Sequence, residues 1–319
     1  MIQYLGRYKI IKEIGHGAMG VVYEAKDPLI DRNVAIKTIN HQDLNPDEKK
    51  ECEARFYLEA RSAGRLSHPN IVTIHDLGES NGMTYIAMEL MEGRELQVLL
   101  ADGQHLPLKE TLNIIIQVAT GLAYAHEHGI IHRDIKPSNI MVLKGDRVKI
   151  ADFGIARMDS WRLDTQGGKL LGSPLYMSPE QVSSRPFDHR SDIFSVGTML
   201  YRMLTGKMPF PGDTTHAIIY QIVNEDAQKP SSLNPEIPDM LDSIVSKCLS
   251  KNPDDRYQNA IELADDLRAC QDQLLRANSG HGQIPVKSIS RNKIRILKIA
   301  GIFALLLILY ELIEEFLMH

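Results

Sequence analysis

The sequence predicts an α+β chain in which a small sheet-rich part precedes a larger helical part. Two patterns predict this. Residues 8–90 alternate short β-branched runs with turns, whereas beyond Gly93 apolar residues recur at three- and four-residue spacings over long stretches. The length, 319 residues, allows one or two substantial cores.

In chain order, "YKIIKEI", "GVVYEAK", "NVAIKTIN", "IVTIHDL" and "MTYIAMEL" read as five strands, interrupted by one helical block, "PDEKKECEARFYLEARSAGRLS". "LKETLNIIIQVATGLAYAHEHG" reads as a helix stopped by Gly129. Further helices are expected in "DIFSVGTMLYRMLTG", "AIIYQIVNED", "DMLDSIVSKCLSK" and "AIELADDLRACQDQLL". No internal repeat is visible. "RANSGHGQIPVKSISRNK" has no apolar period and reads as a linker, and "IAGIFALLLILY", Ile299 to Tyr310, is apolar on every side.

With 43% hydrophobic and 24% charged residues the composition is that of a globular protein. A net charge of −5 argues against a dedicated nucleic-acid binder, which needs a basic surface. Cys52, Cys248 and Cys270 are isolated, which fits a reducing cytosol better than a disulfide framework and suggests no zinc site. "MIQYLGRYKI" lacks the apolar run of a signal peptide, so the body of the protein is expected in the cytosol.

"EIGHGAMGVVYEAK" sets Gly15, Gly17 and Gly20 at GxGxxG spacing, where missing side chains let backbone N–H groups approach phosphate oxygens. Alone this is a weak signal, and a flexible hairpin is the plainer reading. The residues after Gly20 are β-branched, so the loop joins two strands, which disfavours a dinucleotide fold. Fourteen residues beyond Gly20, "VAIK" ends at Lys37. A lysine in an apolar strand needs an anion or a path to water. Glu59 is the candidate counter-carboxylate, with Glu51 and Glu53 as decoys near the helix start.

"GIIHRDIKPSNIMV" crowds His132, Arg133, Asp134, Lys136 and Asn139 between apolar flanks, and "VKIADFGIAR" follows with Asp152. Asn139 and Asp152 are hard oxygen ligands suited to Mg²⁺ that carries nucleotide phosphates. Asp134 could accept the proton of an incoming hydroxyl, and Lys136 could neutralise a transferring phosphoryl group. An Asx-turn at Asn139 or an N-cap at Asp152 is the structural alternative for each taken singly. Their joint order makes that alternative improbable.

GHGAMGVV, VAIK, Glu59, HRDIKPSN, DFG, "GSPLYMSPE", "DIFSVG" and "NPDDRY" occur together in one order. In this the chain resembles the eukaryotic-like protein kinases, and closely the Ser/Thr kinases of bacteria, from roughly Tyr8 to Leu267. The resemblance implies a two-lobed kinase fold over residues 8–270, with a sheet-rich lobe at 8–91 and a helical lobe at 92–270, after an extension at 1–7. It implies ATP and Mg²⁺ (with Mn²⁺ as a substitute) in the cleft. Val22, Ala35 and Met141 should sandwich the adenine, with Ile14 also at the nucleotide. Met88 should guard the back pocket, and Glu89 and Met91 should supply hinge backbone bonds. Lys37 should bind the α/β-phosphates and pair with Glu59; Asp134 should be the catalytic base, and Asn139 and Asp152 the metal ligands. His132 and Phe153 are implied as packing, Glu180 and Arg256 as a buried ion pair, and Asp192 as an anchor of the loop backbone. Lys136 followed by Pro137 is the Ser/Thr-kinase version, so protein Ser/Thr hydroxyls are the implied acceptors. A pseudokinase scaffold and small-molecule phosphotransfer are the competing classes.

Residues 152–180 resemble an activation segment. Arg133 would need an anion, and phosphate on Thr165 is the candidate. Gly167 stands where relatives often carry a second threonine, Ser173 replaces the usual threonine, and Ser178 the commoner alanine. The resemblance makes a kinase homodimer a candidate assembly.

For the tail, residues 271–295 are expected as a basic linker, 296–312 as a transmembrane helix and 313–319 as a terminal tail. About 15 apolar residues reach about 22 Å against a hydrocarbon core of about 30 Å, with Arg295 and Lys298 able to snorkel. No acid lies between Asp272 and Glu311, while Arg276, Lys287, Arg291, Lys293, Arg295 and Lys298 are basic, which puts the preceding domain on the cytoplasmic side. In-plane or basic-patch membrane association and a partner-docking helix remain as alternatives.

Overall fold

The computed structural model of the chain describes residues 3–17, 20–38, 57, 60, 63–80, 82–153 and 174–278. A six-stranded antiparallel sheet comes first, built from β1 (Tyr4–Leu5), β2 (Tyr8–Gly17), β3 (Gly20–Asp27), β4 (Arg32–Thr38), β5 (Ile74–Ser80) and β6 (Met83–Glu89). Its spatial order is β1-β2-β3-β4-β6-β5. The five expected strands are all present. β1 is an addition, two residues being too short for any period to announce.

The central strands β4 and β6 are buried on both faces, and their alternate residues serve two clusters. Val34, Ile36, Tyr85 and Ala87 pack with Leu5, Tyr8 and Ala25 on one face. Ala35, Ile86 and Met88 pack with Val72 and Ala60 on the other. The chain is helical at Tyr57, Ala60 and Ala63, and Ala60 and Ala63 are buried, as expected of the helical block. Glu51, Glu53 and Glu59 lie outside the described residues.

β5 begins at Ile74 rather than Ile71. The residues before it pair elsewhere: Ile71 bridges Ile150 in parallel, and Val72 N–H donates to the Ile150 carbonyl at 2.9 Å. That pairing ties the sheet-rich part to a second, three-stranded sheet of β7 (Gly93–Glu95), β8 (Ile140–Leu143) and β9 (Val148–Ile150). β7 has no apolar pattern and was not legible as a strand.

The helical part comprises α1 (Leu96–Leu99), α2 (Leu108–Glu127), α3 (Pro179–Val182), α4 (Arg190–Thr205), α5 (Thr215–Asn224), α6 (Pro230–Leu233), α7 (Asp239–Cys248) and α8 (Ala260–Asn278). The four-residue helices α1, α3 and α6 carry too few turns to show a period. α2 ends as expected: Gly129 has φ +73°, and Ile130 N–H reaches back to the Ala125 carbonyl at 3.0 Å. α4 is buried along nearly its whole length, polar residues included, which marks it as the central helix of this part. A Cβ at Gly197 would overlap Cys248, so the glycine permits the close packing of α4 on α7. Thr214 starts α5 before the expected apolar run, its hydroxyl accepting from Ala217 N–H at 3.2 Å.

Met1–Gln273 form one compact unit and Leu274–His319 a second, of which the described part is the end of α8. Among the described residues no helix is long and apolar enough to cross a membrane. The transmembrane expectation at 296–312 lies outside them, as do Thr165 and Ser173.

Candidate active site

The glycine-rich turn connects β2 to β3, with Gly15 opposite Val22 and Gly17 opposite Gly20. A strand–turn–strand order replaces the strand–turn–helix of a dinucleotide fold. Gly20 has φ +140°, a conformation L side chains rarely adopt, so glycine is required there. A register shift between Glu13 and Gly15 places Ile14 in a bulge, 44% exposed at the edge of this turn.

Val22 pairs with Lys37 and Ala35 with Met88 across the sheet. Val22 and Met91 flank the cluster of Ala35 and Met88, so four of the expected adenine-side residues share one apolar surface. Met141 lies on β8, opposite Glu95. Met91 lies past the end of β6, so its N–H is not committed to the strand ladder. A small pocket behind Met88 is lined by Ala63, Val72, Ile74, Ile86, Asp152 and Phe153.

Glu89 is engaged through its side chain. Its carboxylate accepts Lys149 Nζ at 2.7 Å and Thr73 N–H at 2.7 Å, and Lys149 also donates to the Ile71 carbonyl at 3.0 Å. This tie between β6 and β9 was not foreseen. Only the Glu/Lys identities hint at it, and their separation in sequence hides the contact.

Below the sheet, Lys37 Nζ lies 2.7 Å from Asp152 Oδ2. Asp134 Oδ2 lies 2.8 Å from Lys136 Nζ, and Asn139 Nδ2 donates to the Asp134 carbonyl at 2.8 Å and to Oδ2 at 3.2 Å. With Nδ2 engaged in this way, Asn139 keeps Oδ1 for a cation. The pair Lys37–Asp152 and the group Asp134–Lys136–Asn139 meet through the backbone at one end of β8 and β9, where Ala151 N–H donates to the Asn139 carbonyl at 2.8 Å and Ile140 pairs with Ile150. The donor set of carboxylate and amide oxygens there suits Mg²⁺. The pairing of Lys37 with Glu59 falls outside the described residues.

Two site residues hold uncommon backbone conformations: Arg133 has φ +70° and Asp152 φ +57°. Such strain persists only where neighbours fix it. Asp192, fully buried on α4, accepts the N–H groups of His132 and Arg133, each at 2.8 Å, and also meets His126 Nε2 at 2.8 Å. The Arg133 carbonyl accepts Gln181 Nε2 at 2.9 Å. His132 meets the Ala151 carbonyl through Nε2 at 2.9 Å and accepts Asp134 N–H on Nδ1, which sets its tautomer as Nε2–H. Its ring packs 4.7 Å from that of Phe153. His132 and Phe153 are thus the packing that joins the two loops, as expected. His126 and Gln181 were missed.

Ser178 caps α3 in a reciprocal capping box with Gln181. The S-x-x-Q spacing was the available signal. The neighbouring Glu180 forms a two-pronged pair with buried Arg256 at 2.7 and 2.8 Å and accepts Ser191 Oγ at 2.6 Å. Among the described residues, Arg133 Nε is buried without a hydrogen-bond partner.

Burial alone would raise the carboxyls of Glu180 and Asp192. Arg256 holds Glu180 below its ordinary value, and His126 with the His132 amide does the same for Asp192. Since both folded values lie below the unfolded ones, their stabilisation is complete above about pH 4.5 and lost as the pH falls further. The urea midpoint is therefore expected to drop as the pH falls from about 4.5 toward 3, and to drop less in Glu180→Gln. An equal drop in both proteins would contradict this.

Residues 8–266 match the family model described as "Protein kinase domain". The chain is 41% identical over 261 residues to a probable serine/threonine-protein kinase of Clostridium acetobutylicum, covering 82% of this chain and 39% of that protein. It is 42% identical over 268 residues to the serine/threonine-protein kinase PknB of Mycolicibacterium smegmatis, covering 82% of this chain and 42% of that one. For PrkC of Bacillus subtilis the identity is 39% over 267 residues, covering 84% and 41%. The chain thus spans about two fifths of the length of these curated relatives. A glycine turn between strands, a lysine paired with a carboxylate across the cleft and a loop pinned to the central helix agree with that match: the chain belongs to the protein kinase family.

Proposed function

We propose that this chain is a Ser/Thr protein kinase, transferring the γ-phosphate of ATP to serine and threonine hydroxyls of proteins. The observation that carries the reading is the convergence of Lys37, Asp134, Lys136, Asn139 and Asp152 at one end of β8 and β9. Loss of any one would have favoured a scaffold.

Val22, Ala35 and Met141 enclose the adenine, with Ile14 at the rim and Glu89 and Met91 offering hinge backbone groups. Lys37 faces the α/β-phosphates, and Asn139 Oδ1 and the Asp152 carboxylate hold the divalent cation. Mg²⁺, or Mn²⁺ in its place, supplies charge neutralisation on the phosphates when bound. Asp134 orients the incoming hydroxyl and takes its proton as the new oxygen–phosphorus bond forms and the bond to ADP breaks. Lys136, held 2.8 Å from Asp134, neutralises charge on the transferring group.

Regulation follows from Arg133, whose buried Nε among the described residues suits an anion from the activation segment. Thr165 is the proposed phosphosite, with Ser173 a second regulatory residue of the segment. Residues 8–270 form the kinase domain. Residues 296–312 are proposed as a single-pass anchor with that domain on the cytoplasmic side, supported by the acid-free basic stretch before it. A kinase homodimer would bring two activation segments together.

The test incubates the full chain with Mg²⁺ and γ-labelled ATP beside a generic basic protein, followed by phosphoamino-acid analysis and site mapping. Phosphoserine and phosphothreonine are expected, with Thr165 among the sites. Phosphotyrosine alone would contradict the acceptor class.

A further inference from the structure

The β3–β4 ladder stops at Val22 and Lys37, the pair that carries the adenine-side valine and the phosphate-facing lysine. One residue further on, the two strands are joined by a side chain. Thr38 Oγ1 donates to the Val21 carbonyl at 3.0 Å and accepts Val21 N–H at 3.3 Å. A single hydroxyl so occupies both backbone groups of the first residue after Gly20. Thr38 itself stands in register with Tyr85 on β6. Thr38 is 5% exposed, so water is a poor replacement for these bonds.

Val21 lies opposite His16 across the glycine turn, and Gly17 lies opposite Gly20. Fixing Val21 therefore fixes where the returning strand leaves the turn. Thr38 adjoins Lys37 in sequence, and Val21 adjoins both Gly20 and Val22. The hydroxyl thus sets the turn in register with the lysine at the point where both would face phosphates.

We propose that Thr38 is a positioning residue for the nucleotide, locking the glycine turn to the Lys37 strand through the backbone of Val21. This rests on reading the turn as a phosphate cradle. Thr38→Val keeps the shape and β-branching but loses both bonds, whereas Thr38→Ser keeps the hydroxyl.

The experiment measures Mg²⁺–ATP binding by calorimetry on the full chain for wild type and both variants. The KM for ATP, the KM for a protein substrate and the melting temperature without nucleotide are measured beside it. Thr38→Val is expected to weaken ATP binding and raise the KM for ATP by about tenfold, the scale of one or two net hydrogen bonds. The protein-substrate KM should stay at the wild-type value, and Thr38→Ser should recover most of the ATP affinity. Equal ATP affinity in wild type and Thr38→Val overturns the proposal, as does a serine variant as impaired as the valine one. A lower melting temperature in Thr38→Val with both KM values raised together would mean a general structural role and would also overturn it. Wild type that binds no ATP would instead overturn the cradle reading on which the proposal stands.

Discussion

Asp134→Asn is expected to lower kcat for phosphoryl transfer by about 10²- to 10⁴-fold, the range contributed by a positioned general base. Affinity for Mg²⁺–ATP should stay within a few-fold of wild type. The two effects separate because of how the residue is held. Asp134 sits on a loop fixed by backbone bonds to Asp192 and to the His132 ring, none of which needs its carboxylate. Asparagine keeps the size of the side chain and can still meet Lys136 and Asn139 through its amide oxygen. What it loses is the ability to accept a proton. Steady-state kinetics with calorimetric ATP binding checks this. Wild-type kcat in the variant would remove Asp134 from the chemistry.

The largest effect on stability is expected at the Glu180–Arg256 pair. Arg256 uses every N–H of its guanidinium. Nε donates to the Ser250 carbonyl at 2.7 Å, and Nη1 and Nη2 each bond one Glu180 oxygen and one further carbonyl, those of Arg190 and Lys251. The side chain is fully buried against the Phe194 ring, 5.0 Å from the guanidinium carbon. Glu180→Leu would leave that cation without its counter-charge, at a cost of about 3–5 kcal/mol. Total stabilities are about 5–15 kcal/mol, so the loss is a large part of the whole. Arg256→Lys should also be costly, since an ammonium has three donors and no planar fork. Urea unfolding checks both. A midpoint in Glu180→Leu within error of wild type would show that the pair contributes no net stability.

The sheet-rich part was legible because its strands alternate or run apolar between turns, and the helices because α2, α4, α5, α7 and α8 each keep a period over several turns. The second sheet was not, because β7 reads Gly-Arg-Glu, and its pairing depends on a partner some fifty residues away. The start of β5 was misplaced for a related reason. Ile71 and Val72 have strand chemistry, but β9 competes for them and wins. Residue types pointed to the candidate site, and the structure sets Lys37 beside Asp152 and Lys136 beside Asp134. Sequence could not show how the loop is held. His126 and Gln181 are ordinary helix residues until α4 and α3 bring them to Asp192 and to the Arg133 carbonyl. The two positive φ angles beside the chemistry likewise belong to residues with no glycine to announce them.

In the proposed reaction this site moves phosphate from ATP to a protein hydroxyl. The most direct measurement follows the fate of the γ-phosphate in a single turnover, with Mg²⁺–ATP bound by the full chain in the presence of an acceptor protein. Label is expected on protein serine or threonine, dependent on Mg²⁺ and appearing about a hundredfold more slowly, or slower still, in Asp134→Asn. ATP bound and recovered intact, or label released only as inorganic phosphate, would contradict it.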